Sequence, residues 1–155
     1  METLLTKKLD NILIIGIGNN TRQDDGLGWC FLDALEKEGF NIHNLLYKYQ
    51  LMVEDAEIIS NYDTVIFVDA YKKHLKNGFS LEILNPSSKF EFTTHSVPPS
   101  QLLSLCNDIY QKQPKSYILK IQGFEWDYEI NLSDKAKQNL ENAVAKIKTL
   151  TSKSS

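Results

Sequence analysis

The chain has 155 residues, of which 42% are hydrophobic and 24% charged, and its formal net charge is −3. Its length predicts one domain with one core over residues 1–155. The negative balance and the scattered basic residues exclude a nucleic-acid-binding protein, which would carry a clustered basic face. No apolar run reaches the roughly 20 residues of a membrane helix, and the first residues do not resemble a secretory signal. We therefore expect a cytoplasmic protein that acts as a monomer.

Strand-like and helix-like segments alternate along the chain. A continuous apolar run over 11–17 predicts a strand covered on both faces, and helical spacing of apolar residues from Gly26 predicts the helix that follows. The remaining elements are predicted as strands over 42–49, 63–70, 79–84 and 116–123, and as helices over 53–62, 98–111 and from 134 onward, behind the cap Ser133. The alternating pattern of 79–84 favours an antiparallel hairpin strand at the sheet edge. This order predicts an α/β fold, a three-layer αβα sandwich with a mostly parallel five-stranded sheet plus an antiparallel edge strand.

Apolar side chains at core periodicity are predicted to be buried. They are Trp29, Phe31, Phe67, Leu103 and Tyr117. The two cysteines, Cys30 and Cys106, stand singly in helix-like segments, which favours reduced, buried thiols over a disulfide.

Polar residues follow three of the predicted strands. Asp24 and Asp25 come after the first strand, Asp69 ends the strand over 63–70, and His95 precedes the helix over 98–111. In parallel sheets, ligands bind beyond the carboxyl ends of the strands, where the chain order reverses. We therefore expect two carboxylates and an imidazole to meet in one crevice.

This set of groups has several chemical interpretations. Two carboxylates and an imidazole suit a divalent metal such as Zn, Ni, Fe or Mn and leave coordination positions open. The same groups could act as general acid and base without a metal. A structural role is the alternative for each residue: Asp69 as a turn former, His95 as a loop histidine, and Asp24 as the cap of the following helix, which would leave Asp25 pointing outward.

The loop within "LIIGIGNNTRQDDGLG" (13–28) also has to be tested as a phosphate cradle. A dinucleotide site requires G-x-G-x-x-G and an acid at the end of the second strand. The third glycine is missing here, and the second predicted strand ends in "YKYQ" without an acid. Two carboxylates at the helix start would repel a desolvated pyrophosphate by several kcal/mol. The loop is therefore predicted to present an acid, with its glycines allowing sharp turning and close packing.

Four segments together resemble the hydrogenase maturation proteases, the endopeptidases that trim the C-terminal tail of [NiFe] hydrogenase large subunits. They are, in chain order, "ILIIGIGNNTRQDDGLG", "VIFVDA", "THSVPPSQLLSL" and "LKIQGFEWDYEINLSDKAKQNLENAV". The resemblance implies that Asp25, Asp69 and His95 are the catalytic and metal-contacting residues, with Asp24 as second candidate in the first loop. It also implies that the metal is nickel, supplied by the substrate protein rather than held permanently.

Three functions are open at this point. The favoured one is an endopeptidase acting on a nickel-loaded [NiFe] hydrogenase large-subunit precursor, with neither nucleic acid nor membrane as a partner. The others are a non-catalytic chaperone or binding module for the loaded subunit, and a metal-dependent hydrolase of small amides. No serine or cysteine stands in a recognisable nucleophile motif. Trp126 and Tyr128 are expected to be exposed and to contribute to protein docking.

Overall fold

The computed structural model describes residues 11–88 and 96–151. The strands are β1 (Ile12–Ile17), β2 (Leu45–Lys48), β3 (Thr64–Tyr71), β4 (Phe79–Leu84) and β5 (Lys115–Gln122). The α-helices are α1 (Leu27–Lys37), α2 (Asp55–Ile59), α3 (Pro99–Tyr110) and α4 (Asp134–Thr151). Short 3-10 turns span Gln23–Gly26, Ile42–Asn44 and Lys76–Gly78.

The described strands form one five-stranded sheet in the order β2-β1-β3-β5-β4. The β1–β2, β1–β3 and β3–β5 pairs are parallel, and β4 is antiparallel to β5. The predicted fold class is therefore confirmed, and the antiparallel edge strand is one of the five. The prediction that β4 forms a hairpin with the preceding strand is wrong. β5 pairs with β3 along the whole length of β3, so β4 pairs only with the outer edge of β5.

Two predicted elements are shorter than expected because polar side chains bond the backbone locally. Residues 42–44 form a 3-10 turn, in which the Asn41 side chain accepts the His43 N–H at 3.0 Å, so β2 begins only at Leu45. The helix predicted over 53–62 is limited to α2. Beyond its end, the side chains of Ser60 and Asn61 donate to the Glu57 carbonyl.

Successive residues of β1 and β3 pack on opposite faces of the sheet, as the pleat of a strand requires. On one face, a cluster with Ile14 and Ile66 includes Phe31 of α1 and Ile147 of α4. On the other face, the buried cluster has members from the same two strands and from α2 and α3: Ile15, Phe67, Ile59 and Leu103. The apolar runs of β1 and β3 are therefore covered on both sides, as three layers require.

Trp29 is the exception among the predicted core residues. Phe31, Phe67, Leu103 and Tyr117 are buried, as predicted. Trp29 is only partly buried, and its Nε1 donates to the Lys48 carbonyl at 3.0 Å.

Both cysteines are free; Cys106 is buried and Cys30 partly buried. Within the described ranges, none of the helices combines the length and apolar character that crossing a lipid bilayer demands.

Candidate functional site

A cleft of about 400 Å³ lies at the carboxyl ends of β1 and β3. The chain order reverses at this point, because β2 and β3 pair with opposite sides of β1. The lining residues come from the end of β1, the turn before α1, the segment after β2, the end of β3 and the entry to α3: Ile17, Gly18, Asp25, Tyr49, Gln50, Leu51, Asp69, Ser96, Val97, Pro98 and Pro99. Asp25 and Asp69, 44 positions apart in sequence, thus line one cleft.

Asp25 is held by backbone contacts in the turn between β1 and α1. Its N–H donates to the Arg22 carbonyl at 3.0 Å, and its carbonyl accepts the Asn19 N–H at 3.0 Å. A Cβ atom on Gly18, whose φ is +146°, would collide with the Asp25 carbonyl oxygen. A Cβ on Gly28 would stand 2.6 Å from the Ile17 carbonyl oxygen. The predicted need for glycine is confirmed at these two positions by close approach.

Asp69 directly follows the buried part of β3 and is itself half-buried, and within the described ranges its carboxylate has few hydrogen-bond donors. Its Oδ1 accepts the N–H of Ala70 at 2.9 Å. Burial raises the pKa of Asp69 to about 7; the Ala70 hydrogen bond acts in the opposite direction, and the charge of Asp25 adds to the rise. A carboxyl with this pKa is present in both its protonated and its ionised form near neutral pH.

Two cations moderate the charge of Asp25. Burial raises the pKa of Asp25, and the positive charges of Arg22 and Lys72, with a backbone hydrogen bond from Asn19, lower it, leaving a net rise. Both cations also lie over aromatic rings, Arg22 over Tyr128 and Lys72 over Trp126, each at 5.1 Å from the ring centroid. These cations could not be predicted from the sequence, because no local pattern links residues 22 and 72 to a loop near 126.

Asp24 is fully buried and faces away from solvent. Its Oδ2 accepts the N–H groups of Phe124 and Glu125 at 2.6 and 2.9 Å and the hydroxyl of Ser133 at 2.7 Å. Its Oδ1 accepts the Ser133 N–H at 2.8 Å. The carboxylate is thus saturated by protein donors, and α1 has no side-chain cap. The helix-cap role considered for Asp24 is wrong. Its role as second-choice ligand stays a prediction that these four donors disfavour, and Asp25 is the acid of this loop that lines the cleft.

His95 lies outside the described residues, so its approach to the two carboxylates stays a prediction. Ser96, the next residue in sequence, lines the cleft, and the Val97 N–H donates to the Leu51 carbonyl at 3.0 Å. Within residues 11–88 and 96–151, no three His, Cys, Asp or Glu side chains are grouped to hold a metal ion. The predicted three-ligand site therefore depends on His95.

The segment around Trp126 is only partly as expected. Tyr128 is 82% exposed, as expected, but Trp126 is partly buried. Ser133 acts as the predicted cap of α4, since its hydroxyl accepts the Ala136 N–H at 3.3 Å.

Solved structures share this fold over nearly the whole chain, whereas no protein-family model and no curated protein matches it. The maturation protease HycI from Thermococcus kodakarensis KOD1 is 25% identical, with a TM-score of 0.70 and 96% of both chains covered. The hydrogenase 2 maturation peptidase of a Thaumarchaeota archaeon is 18% identical, with a TM-score of 0.64 over 90% of this chain and 96% of its own. The maturating endopeptidase HybD from E. coli is also 18% identical, with a TM-score of 0.64 over 88% and 89%.

These relatives are peptidases, and therefore hydrolases, by their names. The resemblance predicted from four sequence segments is confirmed in three dimensions: this chain has the fold of the [NiFe] hydrogenase maturation proteases.

Proposed function

We propose that the chain is an endopeptidase that removes the C-terminal tail from the nickel-loaded large-subunit precursor of a [NiFe] hydrogenase. One observation carries the proposal: Asp25 and Asp69 line the same cleft at the switch point of the sheet. The fold around that cleft is shared with HycI at 25% identity over 96% of both chains. The free thiols of Cys30 and Cys106 agree with a cytoplasmic location.

In this proposal nickel arrives with the substrate protein. The carboxylates of Asp25 and Asp69 and the imidazole of His95 would supply oxygen and nitrogen ligands, which suit Ni²⁺ and leave positions for ligands of the precursor. A nickel ion shared by both proteins would anchor the precursor and polarise the scissile carbonyl or activate a water. The raised pKa values of Asp25 and Asp69 fit this role, because burial of both groups, with the charge of Asp25 beside Asp69, favours neutralisation by an incoming cation.

The test is a cleavage assay with purified precursor in nickel-loaded and nickel-free forms, followed by intact-mass analysis. We expect the wild-type chain to shorten only the loaded form. Asp25→Ala should lower the rate at least about 100-fold, because it removes a group at the reacting centre. Asp108→Ala, the same change at an exposed position near the end of α3, should cleave at the wild-type rate.

Three results would contradict the proposal in different ways. Tight binding of loaded precursor without any mass change would indicate the non-catalytic binding module. Stoichiometric metal in the protein purified alone, together with hydrolysis of small amides, would indicate the third hypothesis. Cleavage by Asp25→Ala at the wild-type rate would show that Asp25 is not a catalytic residue.

A further inference from the structure

The turn that carries Asp25 is not stabilised by a cap of its own. The 3-10 turn Gln23–Gly26 and the following helix α1 both lack a side-chain hydrogen bond at their N-caps. Gln23 has φ +42°, in the left-handed region that non-glycine residues seldom occupy. Apart from its local backbone hydrogen bonds with Asn19 and Arg22, the conformation of this turn therefore depends on contacts from elsewhere in the chain.

Those contacts come from one segment, residues 123–133, which we call the bracing loop. Besides the four hydrogen bonds to the Asp24 carboxylate, the Asp24 N–H donates to the Glu125 carbonyl at 3.0 Å. Gln23 bonds the same loop twice: its N–H donates to the Glu129 carbonyl at 2.7 Å, and its Oε1 accepts the Asp127 N–H at 2.8 Å. A Cβ on Gly123 would stand 2.6 Å from Asp24 Cβ, so the two segments also touch.

Asp24 and Asp55 are the two deeply buried acids among the described residues, and they differ in where their partners lie along the chain. Asp55 accepts the N–H of Met52 at 2.8 Å and pairs with Lys48 at 3.2 Å, so its partners lie within seven residues of it. Asp24 takes all of its donors from about 100 residues away. A buried charge is seldom the best way to gain stability, because desolvation offsets much of the attraction. A role in fixing a local conformation accounts for the arrangement better.

We propose that Asp24 is a positioning residue, which anchors the turn to the bracing loop and so keeps the adjacent Asp25 carboxylate directed into the cleft. This inference rests on the proposed function. Asp24 and Asp25 share a peptide bond, so any rotation of the turn that breaks the Asp24 contacts moves Asp25 with it. A displacement of about 1 Å at a reacting group can cost about 100-fold in rate.

The test compares two serine-to-alanine variants in the cleavage assay. Ser133→Ala removes one hydroxyl from Asp24 and with it the cap of α4, whereas Ser116→Ala removes a buried hydroxyl that donates to the Pro114 carbonyl at the opposite end of the sheet. At a temperature where both are folded, we expect Ser133→Ala to lower kcat about three- to ten-fold with KM within two-fold of wild type. Ser116→Ala should keep the wild-type kcat. Asp24→Asn, which places an amide among four donors, should lower kcat about ten- to 100-fold, and Asp24→Glu should restore part of the loss.

Equal kcat values for Ser133→Ala and Ser116→Ala would overturn the proposal, and so would a rise in KM with unchanged kcat. A readout that needs no activity separates this failure from failure of the proposed function. In 1H–15N spectra, we expect the amide signals of Asn19 and Asp25 to shift in Ser133→Ala and not in Ser116→Ala. Those shifts would support positioning even if wild-type protein left the precursor uncut, whereas unchanged signals would refute it.

Discussion

Asp24 and Asp69 are two carboxylates at the same end of the sheet, one fully buried and the other half-buried in the cleft, and they differ in their partners. Asp24 accepts three N–H groups and a hydroxyl. Burial raises the pKa of Asp69 to about 7, and the hydrogen bond from the Ala70 N–H at 2.9 Å acts in the opposite direction. The four donors occupy both oxygens of Asp24, whereas Asp69 accepts few hydrogen bonds from the described residues and lines the cleft. The number of hydrogen-bond donors around each carboxylate therefore distinguishes acids that look equivalent in the sequence.

The largest expected effect is on catalysis. Asp69→Ala and His95→Ala should each reduce cleavage of nickel-loaded precursor at least about 100-fold, because each removes one of the three proposed ligands. Circular dichroism and thermal unfolding should show that both variants stay folded. Full activity of Asp69→Ala or of His95→Ala would mean that the substituted residue is not catalytic.

The second effect is on stability and falls on the saturated acid. Asp24→Ala removes the fully buried acceptor of four part-buried donors, so we expect the free energy of unfolding to drop by about 2–3 kcal/mol. Urea denaturation at pH 7 measures this loss. Asp108→Ala is the reference and should change stability by less than about 0.5 kcal/mol. If Asp24→Ala lowered the free energy of unfolding no more than Asp108→Ala does, the contrast between Asp24 and Asp69 would be contradicted.

The smallest effect concerns the pH dependence of stability. The folded-state pKa of Asp69 lies near 7, above its ordinary value of 3.8, so the folded protein holds this proton more tightly than the unfolded chain. Its contribution is most favourable below about pH 4 and is lost as pH rises through 7. Asp25 shifts in the same direction. Because solvent reaches the cleft, we expect a loss of about 1–2 kcal/mol over this range.

Denaturation of Asp69→Asn between pH 4 and 8 isolates this contribution. The amide carries no charge at any of these pH values, so the curve should be flatter than that of the wild type and should lie above it at pH 8. An identical pH profile for both proteins would show that Asp69 does not titrate in this range.

The sequence predicted the fold and the placement of the two cleft acids because both depend on local patterns. Continuous apolar runs mark β1 and β3, and acids near the ends of such strands or in the turns that follow them fall at the carboxyl edge of the sheet. The contacts of Asp24 could not be predicted in this way, since its donors lie about 100 residues further along the chain. The burial of Trp29 was overestimated for a related reason: helical periodicity marks a face but not its edge, where Trp29 meets Tyr49 with ring centroids 4.8 Å apart.

The most direct test of the central claim is anomalous diffraction at the nickel edge, from crystals of the protein grown or soaked with Ni²⁺. The account predicts one strong peak in the cleft, within coordination distance of the Asp25 and Asp69 carboxylates and of the His95 imidazole. A peak bound elsewhere, or a cleft in which the His95 ring points away from both carboxylates, would contradict it.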